Sequence, residues 1–483
     1  MADTETLTST RSEARRPPPT PRPALVIAWC RGAPERVGEV LHPPRRGAGI
    51  LGRGAEAPAS GLPRMLPERS RPGRAEAGRP LDSKRLSRDQ LEVRADGGAL
   101  SLVSLGRRPL IVRGAAVERA RLSPGETAVI EGELVLLCDL RAPQLPPTEL
   151  QLHPFGQADA FGIVGETPAA WALRRRVAFL APRAAHVLVT GASGTGKELA
   201  ARALQALSAR AGGPFITRNA ATIPEGLVDA ELFGNMRDYP NPGMAERPGL
   251  FGAADGGALF LDEIAELSEA AQAHLLRALD RGEYTRLGEE EPRRADVRLI
   301  AATNRPVDAL KHDLAARLPL RLALPGLGER LADVPLVAAH IARRIFAGDP
   351  QLAARFAEDG APRFSPDLIT LLLAHPWTTH ARELEGLLWR ALGESEGDTI
   401  EAPPSSAATT VSHTSDTDRL ETAADWRAYV GRPPAEIPPE AVQAALDAVN
   451  GVQEKAWKLL GLESRYVLRR LITRYGLEVR RKG

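Results

Sequence analysis

Val187-Leu188-Val189-Thr190-Gly191-Ala192-Ser193-Gly194-Thr195-Gly196-Lys197-Glu198 is the stretch from which the rest of the chain is read. Its first four residues predict a short buried strand, and the Ala- and Leu-rich run after Lys197 predicts a helix. Between them, glycines let backbone N–H groups turn inward around phosphate oxygens, and the helix N-terminus adds a favourable dipole. Gly191, Ala192, Ser193, Gly194, Thr195, Gly196 and Lys197 are therefore candidate nucleotide-binding residues, with Lys197 reaching the β and γ phosphates. The bland alternative is a glycine-rich turn without a ligand. Glu198 stands where such loops ordinarily carry Ser or Thr. Magnesium would lack that hydroxyl and depend on water and on acids elsewhere.

About 65 residues on, Gly256-Gly257-Ala258-Leu259-Phe260-Leu261-Asp262-Glu263 reads as an apolar strand ending in two carboxylates. A strand end would set Asp262 beside a metal and Glu263 where it polarises the attacking water. Two acids after a strand are otherwise a common start to a helix. Ala301-Ala302-Thr303-Asn304 closes a further strand, so Asn304 is placed either to bond the γ-phosphate or simply to form a turn.

Around these segments, apolar strands (Val187–Thr190, Ala258–Leu261, Val297–Ala302) alternate with helical stretches from about residue 161 to 397. That is the rhythm of a parallel α/β sheet. Glu269–Arg281 reads as a helix capped by Ser268 and stopped by Gly282. On the N-terminal side, residues 1–22 read as a disordered tail. Residues 23–143 read as an all-β sandwich of short strands: Ala24–Trp29, Ala99–Leu105, Leu110–Arg113, Thr127–Ile130 and Glu133–Asp139. Residues 144–160 and 398–437 read as linkers. In 438–483 three apolar stripes recur at helical spacing: Val442, Ala445, Leu446 and Val449; Ala456, Leu459 and Leu460; Val467, Leu468 and Leu471.

A chain of 483 residues with 43% hydrophobic and 26% charged residues suits several globular domains, and 44 Gly with 41 Pro leaves room for linkers between them. The net charge of +2 selects no partner, but residues 451–483 hold nine Lys/Arg against three Glu. That local excess fits either a solvated basic tail or a nucleic-acid footprint. Cys30 and Cys138 lack metal-ligand spacing and suit a reducing compartment. No apolar run approaches the ~20 residues of a membrane helix, and Ala24–Cys30 reads as a strand rather than a secretory signal. A cytoplasmic protein with no membrane partner is expected.

Taken together, GASGTGKE, ELFG (Glu231–Gly234), GGALFLDEI and LIAATN resemble the AAA+ domain of sigma-54-dependent transcriptional activators, over about Gly162 to Leu392. The resemblance implies a multidomain protein whose central P-loop AAA+ domain carries a helical subdomain. It implies ATP hydrolysis with Mg2+ in a ring, usually a hexamer, each site completed by a neighbour, and work on RNA polymerase with sigma-54. It assigns phosphate to Lys197, magnesium to Asp262, water activation to Glu263 and a sensor role to Asn304. Asn219 resembles the asparagine that restrains the catalytic Glu, and Arg382 the second sensor arginine. Arg317 matches one of two arginines acting in trans, while Lys311 fills the other's place, without the planar fork. Where the family carries its GAFTGA loop, this chain has Asp238-Tyr239-Pro240-Asn241-Pro242-Gly243, stiffened by two prolines.

Residues 445–477 resemble a Fis-type helix-turn-helix, an all-α DNA-binding module. Lys455–Leu460 would end one helix, Gly461-Leu462 form the turn, and Glu463–Ile472 form the recognition helix. Ser464, Arg465, Tyr466, Arg469 and Arg470 would face an enhancer-like DNA site as a dimer. The N-terminal sandwich resembles a forkhead-associated domain, a phosphothreonine reader, through Ile50-Leu51-Gly52-Arg53 and Ser87-Arg88-Asp89-Gln90. The resemblance makes Arg53, Ser87 and Arg88 phosphate ligands. It departs at Gln90, which stands in place of a histidine, and in Ser104–Gly114, which lacks the expected asparagine.

Overall fold

The computed structural model describes residues 20–404, 437, 439–448, 456, 457, 459, 460, 462 and 465–475. Two compact units follow from the contacts, residues 1–408 and 409–483.

The first unit opens with two β-sheets. Strands Arg22–Cys30 and Leu134–Arg141 pair antiparallel, Val26 opposite Leu137 and Leu25 opposite Cys138, in the middle of an eight-stranded sheet. The four-stranded sheet runs in the order Arg119–Leu122, Ala99–Ser104, Leu91–Asp96, Ala48–Leu51. Side chains alternate across a strand. Leu25, Ile27, Leu134, Leu136 and Cys138 accordingly fill the space between the sheets, with Leu91, Val93, Leu100 and Leu102. Sheet-on-sheet packing in this region agrees with the sandwich read from the sequence.

Five parallel strands follow, ordered Phe215–Asn219, Ala258–Asp262, Arg298–Thr303, Val187–Thr190, Leu320–Ala323. The three inner strands are buried on both faces, which is why they read as apolar runs, whereas the edge strands Phe215–Asn219 and Leu320–Ala323 are only partly covered. Leu188, Leu259, Leu261, Leu299 and Ala301 face one core. Val187, Val189, Ala258, Phe260, Ile300 and Ala302 face the other. Helix Glu269–Arg281 has the expected ends: Ser268 accepts from the Ala271 amide, and Gly282 closes it at φ +65°. Helices Val334–Gly348, Pro350–Phe356, Pro366–Ala374 and His380–Glu394 form a helical lid.

Residues 144–160 contain no long element, as their prolines require, yet they do not hang free. Leu145 is buried and bridges to Pro72, and the Gly156 amide donates to Glu166 Oε1 (2.9 Å). Glu166 is the hub of this junction. It also accepts from Arg71 of the sandwich (3.2 and 3.3 Å) and from Trp171 Nε1 (3.1 Å). The backbone amides of Glu166 and Thr167 donate in turn to buried Asp333. Of the expected linker 398–437, residues 405–436 lie outside the described residues; before them Ile400 is fully buried and its amide donates to the Arg363 carbonyl (2.7 Å). Composition signals missing secondary structure and says nothing about such anchoring.

His153 stacks on Trp171 at this junction, centroids 5.3 Å apart. Burial, then the Arg174 and Arg71 charges, push its imidazole down to about 4. The folded chain thus keeps His153 neutral where the unfolded chain, below about pH 6.5, takes up a proton. Its contribution to stability is present above that pH and is lost as pH falls towards 4, on the order of 2 kcal/mol. Glu166, pushed up by burial, works in the opposite sense. His153→Phe, which keeps the stack, should therefore melt less steeply than the wild type between pH 6.5 and 4 in thermal titrations.

In the second unit, helices Pro439–Ala448 and Arg465–Tyr475 pack with Ala456, Leu460 and Leu462 around Val442, Ala445, Leu446, Leu468 and Leu471. The Tyr475 hydroxyl donates to the Ile437 carbonyl (2.9 Å). Val449, Lys455, Gly461, Glu463 and Ser464 lie outside the described residues. No described helix is long and apolar enough to cross a membrane.

Candidate active site

Lys197, Asn219, Asp262, Glu263 and Asn304 lie at or just beyond the carboxyl ends of the parallel strands, the edge where open α/β sheets bind ligands. The loop after Thr190 turns through Gly194 (φ +78°) and Gly196 (φ +97°) into helix Lys197–Ala206. Lys197 is 7% exposed; its Nζ lies 3.2 Å from Glu263 Oε1 and donates to the Gly191 carbonyl at 3.2 Å. Glu263 adopts φ +51°, ψ +46°, a left-handed conformation costing about 1–2 kcal/mol without a glycine. Its Oε2 accepts from the Asn304 amide (3.0 Å), so two strand ends and the phosphate loop converge on one carboxylate. Asp262, beside Asn219 in the parallel register, accepts from the Glu263 amide (3.0 Å). Burial pushes its carboxyl up, against the pull of Lys197.

Asn219 does not meet Glu263 here; its Oδ1 accepts from the Ala221 amide (2.9 Å) and caps a short turn. Glu198 points outward to Arg202 (2.7 Å), both more than half exposed, and so offers a cation nothing. Magnesium commonly takes one or two carboxylates plus phosphate oxygens and water. Asp262, half-buried at its strand end, fits that donor set.

The lid closes the loop from above. Arg382 Nη1 donates to Ser193 Oγ (2.8 Å), and the Ala381 amide donates to the Gly194 carbonyl (3.2 Å). Sequence reasoning missed the residue that shapes this contact. Glu383 accepts from the Thr378 amide (2.9 Å) and hydroxyl (3.1 Å) and from the Thr379 amide (3.0 Å), with His375 Nε2 2.8 Å away. Burial alone would raise its pKa, but these donors hold it at about 2. An acid in the first turn of helix His380–Glu394 was the available signal.

Contact between lid and loop leaves no room for a side chain. A Cβ on Gly194 would lie 2.1 Å from the Thr379 carbonyl oxygen. Gly194→Ala should therefore displace the lid and weaken nucleotide binding about tenfold or more, read by titration with a fluorescent ATP analogue.

Arg317 sits apart from this pocket. Its Nε and Nη2 meet Asp280 at 2.5 and 3.2 Å, with over half the side chain exposed. Lys311 Nζ lies 3.5 Å from Glu269, also partly exposed. Neither side chain reaches Lys197 or Glu263; each pairs with an acid of helix Glu269–Arg281.

Residues 238–243 form a tied-down tip. The Gly243 amide donates to Asp238 Oδ1 (2.7 Å), and Nδ2 of buried Asn235 donates to the Met236, Tyr239 and Ala245 carbonyls (2.9, 3.4 and 3.0 Å). The Tyr239 ring lies against Gly288, and Arg286 pairs with Glu246 and Glu289, stapling the tip to the neighbouring hairpin.

In the sandwich, the loops of the expected phosphate ligands adjoin. The Arg53 amide donates to the Ser87 carbonyl (3.0 Å), Ser87 Oγ accepts from the Arg107 amide (3.0 Å), and exposed Arg88 faces exposed Glu56. Gln90 is buried and bridges the Ser87 amide and the Arg108 carbonyl (3.2 and 2.8 Å). At the other end of the chain, Arg469 is exposed on helix Arg465–Tyr475; the side chains of Arg465, Tyr466 and Arg470 lie outside the described residues.

A five-stranded parallel sheet, a glycine loop with its lysine, a strand-end acid pair and a helical lid define a P-loop ATPase fold of the AAA+ type. The family described as the sigma-54 interaction domain matches residues 163–324. The chain is 36% identical over 330 residues to the transcriptional regulatory protein ZraR of Salmonella typhimurium, covering 66% of this chain and 70% of that protein. It is 34% identical over 380 residues to the DNA-binding transcriptional regulator NtrC of Rhizobium meliloti, covering 71% and 75%. Among solved structures, NtrX from Brucella abortus in complex with ADP is 27% identical, with a TM-score of 0.46 over 66% of this chain and 70% of that one. The chain belongs to the family of sigma-54-dependent transcriptional regulators.

Proposed function

We propose that this chain is a cytoplasmic, DNA-binding transcription regulator that hydrolyses ATP in an oligomeric ring and uses the cycle to remodel RNA polymerase holoenzyme. The carrying observation is that Lys197 and the Asn304 amide meet on the Glu263 carboxylate while Arg382 of the lid bonds Ser193 of the same phosphate loop. ATP lies along the Gly191–Gly196 amides with its terminal phosphates at Lys197, which exchanges its Glu263 partner for them. That exchange frees Glu263 to take a proton from the attacking water, held in line by Asn304. Asp262 would hold magnesium, which would supply charge neutralisation to the phosphates. Arg382 reports the nucleotide to the lid, and Arg317 of a neighbouring subunit stabilises charge developing on the γ-phosphate.

The basic helix Arg465–Tyr475, with Ser464, Arg465, Tyr466, Arg469 and Arg470, reads an upstream DNA site as the second half of a helix-turn-helix. The sandwich is the sensory part, a forkhead-associated-like fold in which Arg53, Ser87 and Arg88 receive a phosphothreonine protein.

The stapled 238–243 tip favours a second reading, in which the regulator acts on a polymerase form without sigma-54 and ATP serves as an assembly ligand. Transcription in vitro by sigma-54 holoenzyme, with this protein and ATP, separates the two. ATP-dependent transcripts are expected. Transcripts only from another holoenzyme, unaffected by Glu263→Gln, would replace the first reading by the second. Loss of phosphothreonine-peptide binding with Arg53→Ala tests the sensory part.

A further inference from the structure

Strands Arg22–Cys30 and Leu134–Arg141 are apolar on both faces, although a sandwich strand needs only one buried face. One face fills the sandwich, as described above. The other, formed by Ala24, Val26, Ala28, Val135 and Leu137, belongs to a second core, shared with lid residues Val334, Val337, Ile341, Ile369 and Leu372. The same core runs on through Leu384, Leu387 and Leu388 of the helix that carries Arg382. Polar contacts fix the register. Trp29 Nε1 donates to the Phe364 carbonyl at 2.7 Å. At the opposite edge, the buried Arg71–Glu166 pair ties the sandwich to the segment that leads into helix Pro168–Leu180.

We infer that the outer face of the sandwich sheet is a positioning surface for Arg382, so that sandwich and lid act as one body on the phosphate loop. Trp29, Val26, Val135 and Leu137 touch no nucleotide-site residue themselves; they hold the helices that deliver Arg382 to Ser193. A ligand that displaces the sandwich thereby displaces Arg382. This rests on the nucleotide reading of the central pocket.

Leu136 and Leu137 provide a matched pair: neighbours on one strand, both essentially buried, facing opposite cores. In the full-length chain, Leu137→Ala should weaken binding of a fluorescent ATP analogue by roughly fivefold or more, the range of ordinary coupling between sites. Leu136→Ala, a truncation of the same size, should leave that affinity within about twofold. Trp29→Phe keeps the ring, loses the bond to Phe364 and folds more readily. It should weaken binding roughly two- to tenfold, as one hydrogen bond can. Equal effects of Leu136→Ala and Leu137→Ala, or none from Leu137→Ala and Trp29→Phe, overturn the inference.

If the wild type binds no analogue, the nucleotide reading fails, and native-state hydrogen exchange in rising urea still decides the shared body. Amides of Arg22–Cys30 and Val334–Gly348 should then merge into one opening transition. Separate transitions overturn it.

Discussion

Glu263→Gln should reduce ATP turnover by about 10²- to 10⁴-fold while leaving ATP affinity within a few-fold of the wild type. An amide keeps the shape of the carboxylate and still has an oxygen to accept from the Asn304 amide, 3.0 Å away. What it loses is the basic oxygen that removes a proton from water. Glutamine meets the left-handed backbone at this position at the same steric cost as glutamate, so the substitution should fold normally. Phosphate release under saturating ATP, beside equilibrium binding of the same nucleotide, checks both halves. A variant that hydrolyses at the wild-type rate would remove Glu263 from the chemistry. One that also fails to bind would make it a structural partner of Lys197.

The second large effect is expected at Arg317. Its bond to Asp280 is an exposed pair of the kind worth about 0–1 kcal/mol, readily given up to a phosphate across a subunit boundary. An arginine supplied in trans stabilises transition-state charge worth about 10³- to 10⁵-fold in rate. Arg317→Ala should lose activity on that scale, with Lys311 too far from planar bidentate geometry to replace it. A mixing experiment gives the cleaner result. Lys197→Ala chains cannot bind nucleotide productively but still offer Arg317, and Arg317→Ala chains keep an intact pocket. Mixed rings should regain a measurable fraction of the turnover that neither variant shows alone. If light scattering shows mixed rings with no regained turnover, completion by a neighbour is wrong.

The strands and the phosphate loop were legible because they obey local rules. Val187–Thr190 is bounded as the apolar run dictates, and helix Glu269–Arg281 begins and ends at the capping residues its sequence advertises. The acid pair was legible as a strand end; Asn304 also closes a strand, but local sequence does not separate it from a turn-forming residue, and the family resemblance singled it out. Glu383 was not legible in the same way, because its role depends on a loop folding back over its own helix start. Nor was the restraint on residues 238–243. The two prolines suggested stiffness, but the ties come from Asn235 and from Tyr239 against Gly288, 49 residues apart in sequence in the latter case. The anchoring of residues 144–160 was hidden for a related reason. Proline-rich segments lack regular elements whether they dangle or, like residues 144–160, are pinned by a buried carboxylate.

The doubly apolar strands also bear on how such a protein changes over generations. A sensor that merely tethers to its motor can be exchanged for another by recombination at the connecting segment. Here the back of the sandwich is also the inner wall of the lid, and cutting between them would leave Val26, Val135 and Leu137 on one fragment and Ile341 and Ile369 on the other, all bare to water. The two halves must therefore be inherited together, and any foreign domain grafted in place of the sandwich would have to bring a matching greasy back.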